Sequence, residues 1–250
     1  VWIHGGSLAS GSASLKAYDP TQLVAEAVAA AKKNKEDDEG LVFVSIQYRL
    51  SIFGFLYMDD ADAPGNQGLL DQTLALRWIK NNIQAFGGDP SRITLFGESA
   101  GAASVSFQAL SPLSAGLFNN IILESGTSLS SKKLNVDKPY TVSRFRDIFA
   151  YLGCNSSSTT DVLRCARGLD AGTLLKGAVQ SAGKAFTFQP VVDGYFLLDE
   201  PRKLLELQQG KFSPTPILLG TNRDESGMFL VINYPELLDN YTSVDYAALT

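Results

Sequence analysis

Five residues, Gly97-Glu98-Ser99-Ala100-Gly101, constrain this chain more than any other feature of its sequence. A Gly-x-Ser-x-Gly run can be no more than a tight turn that contains a serine. Its context argues otherwise. Ile93-Thr94-Leu95-Phe96 before it reads as a strand, and Ala100-Gly101-Ala102-Ala103-Ser104 after it opens a helix with small side chains. A serine on a sharp strand-to-helix turn is held in a strained conformation with its hydroxyl thrust into a cleft. Glycines on both sides relieve the crowding. Ser99 is therefore expected to be a nucleophile.

The segments around this turn alternate between strand and helix. Val1-Trp2-Ile3 reads as a strand that stops at His4-Gly5-Gly6, followed by a Gly/Ser-rich loop over 7–14. Asp19-Pro20 opens a helix in which Leu23, Val24, Ala27, Val28 and Ala31 recur at helical spacing. Lysines near its far end complement the helix dipole. Residues 41–48 are nearly all apolar or β-branched, as expected of a strand buried on both faces. A loop to Gly68 leads into a helix over 69–86, with Leu70, Leu74, Trp78 and Ile79 on its buried stripe and Gly87-Gly88-Asp89-Pro90 as its stop. Strands are expected at 92–96 and 120–124, with a helix over 100–110 between them. This pattern implies an α/β fold with a mainly parallel central sheet flanked by helices on both faces. Residues 127–185, rich in Ser, Lys and Thr, read as a helical insertion without strands, and 216–220 restores a buried strand.

With 250 residues, 45% of them apolar and 19% charged, the chain can bury a sizeable core. A formal charge of −5 gives no reason to expect nucleic acid as a partner. No apolar run approaches the roughly 20 residues that span a bilayer. The chain opens inside a strand, without an initiator Met, and is expected to be a piece of a longer protein.

A serine nucleophile needs donors for the negative oxygen of its tetrahedral intermediate. The His4-Gly5-Gly6 loop fits that role, with the backbone N–H groups of Gly6 and Ser7 as the expected pair and that of Ala100 as a third. It also needs a base, usually histidine. The single histidine, His4, precedes the serine, whereas in this fold the order is serine, acid, histidine. His4 is assigned a structural role, and the catalytic histidine is expected past Thr250. The acid should follow a later strand, where Asp224-Glu225 stands; spacing does not choose between the two.

Cys154 and Cys165 read either as buried free thiols or as a disulfide, which would stabilise the fold by roughly 3 kcal/mol. Asn155-Ser156-Ser157 and Asn240-Tyr241-Thr242 are glycosylation sequons at Asn155 and Asn240, and the first falls between the cysteines. The two signals together favour a secreted or lumenal protein.

Gly65-Asn66-Gln67-Gly68-Leu69-Leu70-Asp71-Gln72, Ala85-Phe86-Gly87-Gly88-Asp89-Pro90, the run from Leu95 to Ser104 and Leu123-Glu124-Ser125-Gly126 resemble the type-B carboxylesterases, the cholinesterase-like branch of the α/β hydrolases. The resemblance implies a partial α/β-hydrolase domain of about half its parent's length. It makes Ser99 the nucleophile, Glu225 the acid of the triad, and Gly6, Ser7 and Ala100 the oxyanion hole. Cys154 and Cys165 match a family disulfide, Arg49 and Asp71 a buried ion pair, and Ser125 a serine that supports the acid. Phe186, Met228 and Phe229 fall at substrate-pocket positions.

The chain departs from the family where a third glycine and an aromatic are usual, carrying Ser7-Leu8 instead. After Gly126 it lacks the tryptophan of the choline-specific members, and Lys184 stands at one of two acyl-pocket phenylalanine positions. Recognition of a quaternary ammonium needs aromatic faces. The expected activity is hydrolysis of small carboxylic esters of general type through an acyl-enzyme on Ser99, with no metal or cofactor. Residues 1–250 alone are expected to be inert. The alternatives are a non-catalytic adhesion protein of the same family, or a peptidase or thioesterase on the same fold. Those adhesion proteins often lack the serine that stands here.

Overall fold

A computed structural model of the chain describes residues 1–34, 40–130, 138–182, 188–207, 215–225 and 227. In chain order the elements are β1 (Trp2–Ile3), α1 (Thr21–Asn34), β2 (Ser45–Ile46), α2 (Ser51–Phe55), β3 (Tyr57–Asp60), β4 (Ala63–Pro64) and α3 (Gln67–Asn82). They continue with β5 (Thr94–Glu98), α4 (Ala100–Leu110), β6 (Asn120–Glu124), α5 (Lys138–Tyr151), α6 (Thr159–Arg167), α7 (Ala171–Ala182), α8 (Pro201–Leu207) and β7 (Ile217–Gly220).

Five strands form one sheet in the order β2-β1-β5-β6-β7. Every pairing in it is parallel, with Ile3 opposite Gly97 and Glu98 opposite Glu124. Parallel neighbours require crossovers, and the connecting helices supply them. This is the arrangement of an α/β hydrolase. The carboxyl ends of β1, β5, β6 and β7 lie side by side, and loops from such ends build the sites of open α/β sheets.

The nucleophile helix α4 packs across β1, β5 and β6 and against α3. Its Ala102 and Val105 are fully buried with Leu95, Leu69 and Leu76. Each large apolar side chain buried here contributes roughly 1.5–3 kcal/mol. Trp2 and Phe96 meet at a tilt with ring centroids 4.9 Å apart; Tyr18 also packs on Trp2, and Phe43 edge-on to Phe96. A cavity of about 740 Å³ opens over Phe96 and Ile122, bounded by Leu23 and Val42.

Five expectations are corrected. The buried face of α3 carries Leu69, Gln72, Thr73, Leu76 and Ile79, whereas Leu74 is 68% and Trp78 54% exposed. Polar atoms on that face have partners: Thr73 Oγ1 lies 2.9 Å from Gln108 Oε1 and 3.1 Å from the Leu69 carbonyl oxygen, and Gln72 Oε1 accepts from Gln108 Nε2. The helix gives way to a 3-10 turn at Ile83–Phe86. The strand expected over 41–48 pairs only at Ser45–Ile46, with Leu41 and Val42 exposed, because it is an edge strand. The expected buried strand at 216–220 is β7, which is exposed along its length at the other edge. The expected loop before Gly68 contains α2 and the antiparallel pair β3–β4.

The described residues of 127–185 hold α5, α6 and α7 and no strand. They are not detached: α5 packs on β3 and α7, and α7 on α2. Cys154 and Cys165 form a disulfide with their Cα atoms 5.5 Å apart.

Candidate active site

Ser99 occupies the turn between β5 and α4 with φ 55° and ψ −121°. Few non-glycine residues adopt a positive φ, and the strain persists only where the surroundings impose it. Here they do. Ser99 N–H donates to the Glu124 carbonyl at 2.8 Å, and its own carbonyl accepts from Ala103 N–H at 2.9 Å. A Cβ at Gly97 would stand 2.5 Å from the Ile3 carbonyl oxygen, and one at Gly101 would collide with the same atom. A Cβ at Gly126 would collide with the Ser99 carbonyl. The turn is thus wedged between the end of β1 and the loop after β6, and glycines at three points make the fit possible.

The loop after β1 presses on the same turn. A Cβ at Gly5 would lie 2.8 Å from the Glu98 carbonyl and 3.2 Å from Ser99 Cβ. That contact was not read from the sequence, although the His-Gly-Gly run carries its signal. Beyond it, Gly6, Ser7 and Leu8 all have positive φ (113°, 56° and 59°). The Gly6 carbonyl accepts from the N–H groups of Ala9 and Ser10, both at 3.0 Å, which closes the loop. Among the described residues no acceptor takes the N–H of Gly6, Ser7 or Ala100. Ala100 N–H also stands at the first turn of α4, where the helix dipole favours negative charge.

His4 is fully buried beneath this loop. Its ring stacks on Tyr48 with centroids 4.6 Å apart, Nδ1 lies 2.8 Å from the Gly5 carbonyl, and Tyr48 Oη donates to the His4 carbonyl at 2.8 Å. Burial pushes its pKa down. The geometry is that of a packed support for the loop.

Glu225 lies in the turn after β7. It accepts the N–H of Asn222 at 2.7 Å, and the nearby Ser125 hydroxyl, then that N–H, hold its carboxyl below the usual carboxylate range. Asp224 instead pairs with Arg223 at 2.9 Å. Ser125, with φ 54°, is anchored by its N–H to the Gly220 carbonyl at 2.8 Å. Glu98 is pushed the other way: burial, then the charges of Glu124 and Glu225, raise its pKa. Three serines with nearly equal positive φ, Ser7, Ser99 and Ser125, therefore follow the carboxyl ends of three adjacent strands.

Phe186, Met228, Phe229 and Asn240 lie outside the described residues. Asn155 is exposed, next to the buried Cys154. Arg49 and Asp71 form a bidentate pair at 2.7 and 2.8 Å, but the expected burial is not found: the Arg49 side chain is 54% exposed. Among the described residues no group of His, Cys, Asp and Glu is placed to hold a metal ion, and no helix is long and apolar enough to cross a membrane.

A strained serine between a parallel strand and a helix, beside a glycine loop with free N–H groups, defines an elbow of the serine-hydrolase type on an α/β-hydrolase sheet. The model of the carboxylesterase family matches residues 1–247, and the chain belongs to that family. Acetylcholinesterase 1 of Caenorhabditis elegans is 41% identical over 98% of this chain and 39% of its own length. Cholinesterase 2 of Branchiostoma lanceolatum is 40% identical over 94% of this chain and 66% of its own. Cholinesterase of Mus musculus is 40% identical, again over 94% of this chain and 37% of its own. The chain thus spans about two fifths of the length of the nematode and mouse relatives.

Proposed function

We propose that these residues supply the nucleophile, the acid and the oxyanion donors of an enzyme that hydrolyses small carboxylic esters. The observation that carries this reading is the fit of Ser99, at φ 55°, against the Gly5 loop and the end of β1. In the proposed reaction Ser99 Oγ attacks the ester carbonyl while a base takes its proton. The carbonyl electron pair moves onto oxygen, and the N–H groups of Gly6, Ser7 and Ala100 stabilise that charge. Collapse expels the alcohol, which receives the proton from the base. Water then releases the acid from the acyl-enzyme by the same steps. Losing one such donor typically lowers the rate about a hundredfold or more.

Glu225 orients the base in this scheme, since the nearby Ser125 hydroxyl and the Asn222 N–H favour its ionised form. The base itself is a histidine supplied from outside residues 1–250, because His4, the one histidine present, is stacked on Tyr48. Residues 1–250 alone are therefore inert. The protein enters the secretory route, as a disulfide next to the exposed sequon at Asn155 suggests.

Its substrates are general esters with an apolar acyl group, because the stretch after Gly126 carries no tryptophan. The names of the relatives favour choline esters as the second reading. The two part when the full-length protein is offered p-nitrophenyl butyrate and butyrylthiocholine. Comparable or faster turnover of the aryl ester supports the general reading. Selective turnover of the choline ester overturns it, and no turnover above a Ser99→Ala control overturns the enzyme reading.

A further inference from the structure

We propose that the hydroxyl of Ser7 is a fourth donor to the oxyanion, acting beside the backbone N–H groups; the proposal rests on the hydrolase reading above. Ser7 holds φ at 56°, inside the left-handed region. For a residue with a Cβ that conformation costs roughly 1–2 kcal/mol, whereas glycine adopts it freely. Glycine is what this loop uses at Gly6, where φ is 113°. A serine kept at the next position therefore carries strain that a third glycine would remove. Observed strain of this kind points to a function for the residue that bears it.

The side chain is not spent on holding the loop. The neighbouring serines are: Ser10 Oγ donates to the Gly6 carbonyl at 3.3 Å, and Ser12 Oγ accepts from Ser14 N–H at 3.1 Å and from Gln47 Nε2 at 2.9 Å. Ser7 Oγ has no such partner among the described residues, although the residue is half-buried. Its position is fixed all the same. Gly5 seats the loop against Ser99, Gly6 is closed onto Ala9 and Ser10, and the Leu8 carbonyl accepts from Ser51 N–H at 2.7 Å. In the reading above, Ser7 N–H faces the oxyanion. A χ1 rotamer gauche to that N–H brings the hydroxyl of the same residue toward the same oxygen. O–H···O⁻ bonds are short and roughly twice as strong as neutral ones. The proton stays on Ser7 Oγ throughout, and no covalent bond to Ser7 forms or breaks.

The test compares the full-length wild type with Ser7→Ala and Ser7→Gly. Three readouts are needed: kcat and KM for p-nitrophenyl butyrate, the affinity of an aryl trifluoromethyl ketone that adds to Ser99 as a charged tetrahedral adduct, and the melting temperature. Both variants should lose roughly 10- to 100-fold in kcat, with KM within about twofold and ketone affinity reduced by the same factor as kcat. Ser7→Gly, freed of strain, should melt no lower than wild type, so its loss is not one of folding. A Ser7→Gly enzyme as fast as wild type or faster overturns the proposal and leaves the hydrolase reading intact. A wild type that neither turns over the ester nor binds the ketone overturns both.

Discussion

The hydroxyl of Ser125, in the turn after β6, stands beside the carboxyl of Glu225, in the turn after β7, and holds its pKa down. That hydroxyl favours the ionised carboxylate and is the first cause of its lowered pKa. Ser125→Ala should raise that pKa, so that Glu225 protonates earlier as pH falls. In the full-length enzyme the acidic limb of kcat/KM moves to higher pH, and the loss is larger at about pH 5 than at about pH 8. A uniform loss across the profile would show that Ser125 acts only through folding.

Gly101 has no room for a side chain, since a Cβ there meets the Ile3 carbonyl oxygen, which is backbone. Gly101→Ala should therefore part β1 from the elbow. Overpacking costs about 1–3 kcal/mol where a core can adjust, and backbone adjusts less readily than side chains. Urea unfolding of the full-length protein should show a loss at or above the upper end of that range. Gly116→Ala, where a Cβ meets nothing within 4 Å but φ is 73°, should cost only the modest strain of its backbone.

Glu98 bears the opposite sign from Glu225. Its folded pKa is raised above the ordinary 4.5, so the folded state binds its proton more tightly than the unfolded one. Stability linked to this group is greatest below 4.5 and is lost as pH rises through the folded value. Glu98→Gln, which stays neutral, should melt higher than wild type at about pH 7–8, and the gap should close as pH falls to about 4. A gap that widens on acidification would contradict the assignment.

The strand–turn–helix of the elbow was more legible than the packing. The elbow could be read because its needs are local: a serine, glycines on both sides, a strand before and a helix after. Glu225 could be placed by resemblance, whereas spacing left the carboxylate choice open; what supports Glu225 is the nearness of Ser125, 100 residues earlier in the chain. The buried face of α3 was misread for a physical reason. Thr73 and the Oε1 of Gln72 are hidden with Gln108 of α4 and the Leu69 carbonyl as partners, a tertiary fact that apolar spacing does not carry. The edges of the sheet were misread likewise: Leu41, Val42, Leu218 and Leu219 are apolar, yet each is exposed in this chain. The pair β3–β4 was missed because β4 has only two residues and the acidic turn before it reads as loop.

The disulfide between Cys154 and Cys165 closes an 11-residue separation next to Asn155. Cys165→Ser should cost roughly 3 kcal/mol on the chain-entropy model, read as a lower urea midpoint. Expressed through a secretory route, the full-length wild type should carry a glycan at Asn155 that Asn155→Gln removes, visible as a mass shift after glycosidase treatment. An unmodified Asn155 would count against the secretory assignment.

The central claim is that Ser99 is the nucleophile, and covalent labelling of the full-length protein tests it most directly. A fluorophosphonate probe should form a single adduct, mapped by mass spectrometry to the peptide bearing Ser99. Ser99→Ala should abolish that adduct, and prior incubation with a trifluoromethyl ketone should slow it. No adduct, or one that persists in Ser99→Ala, would contradict the account.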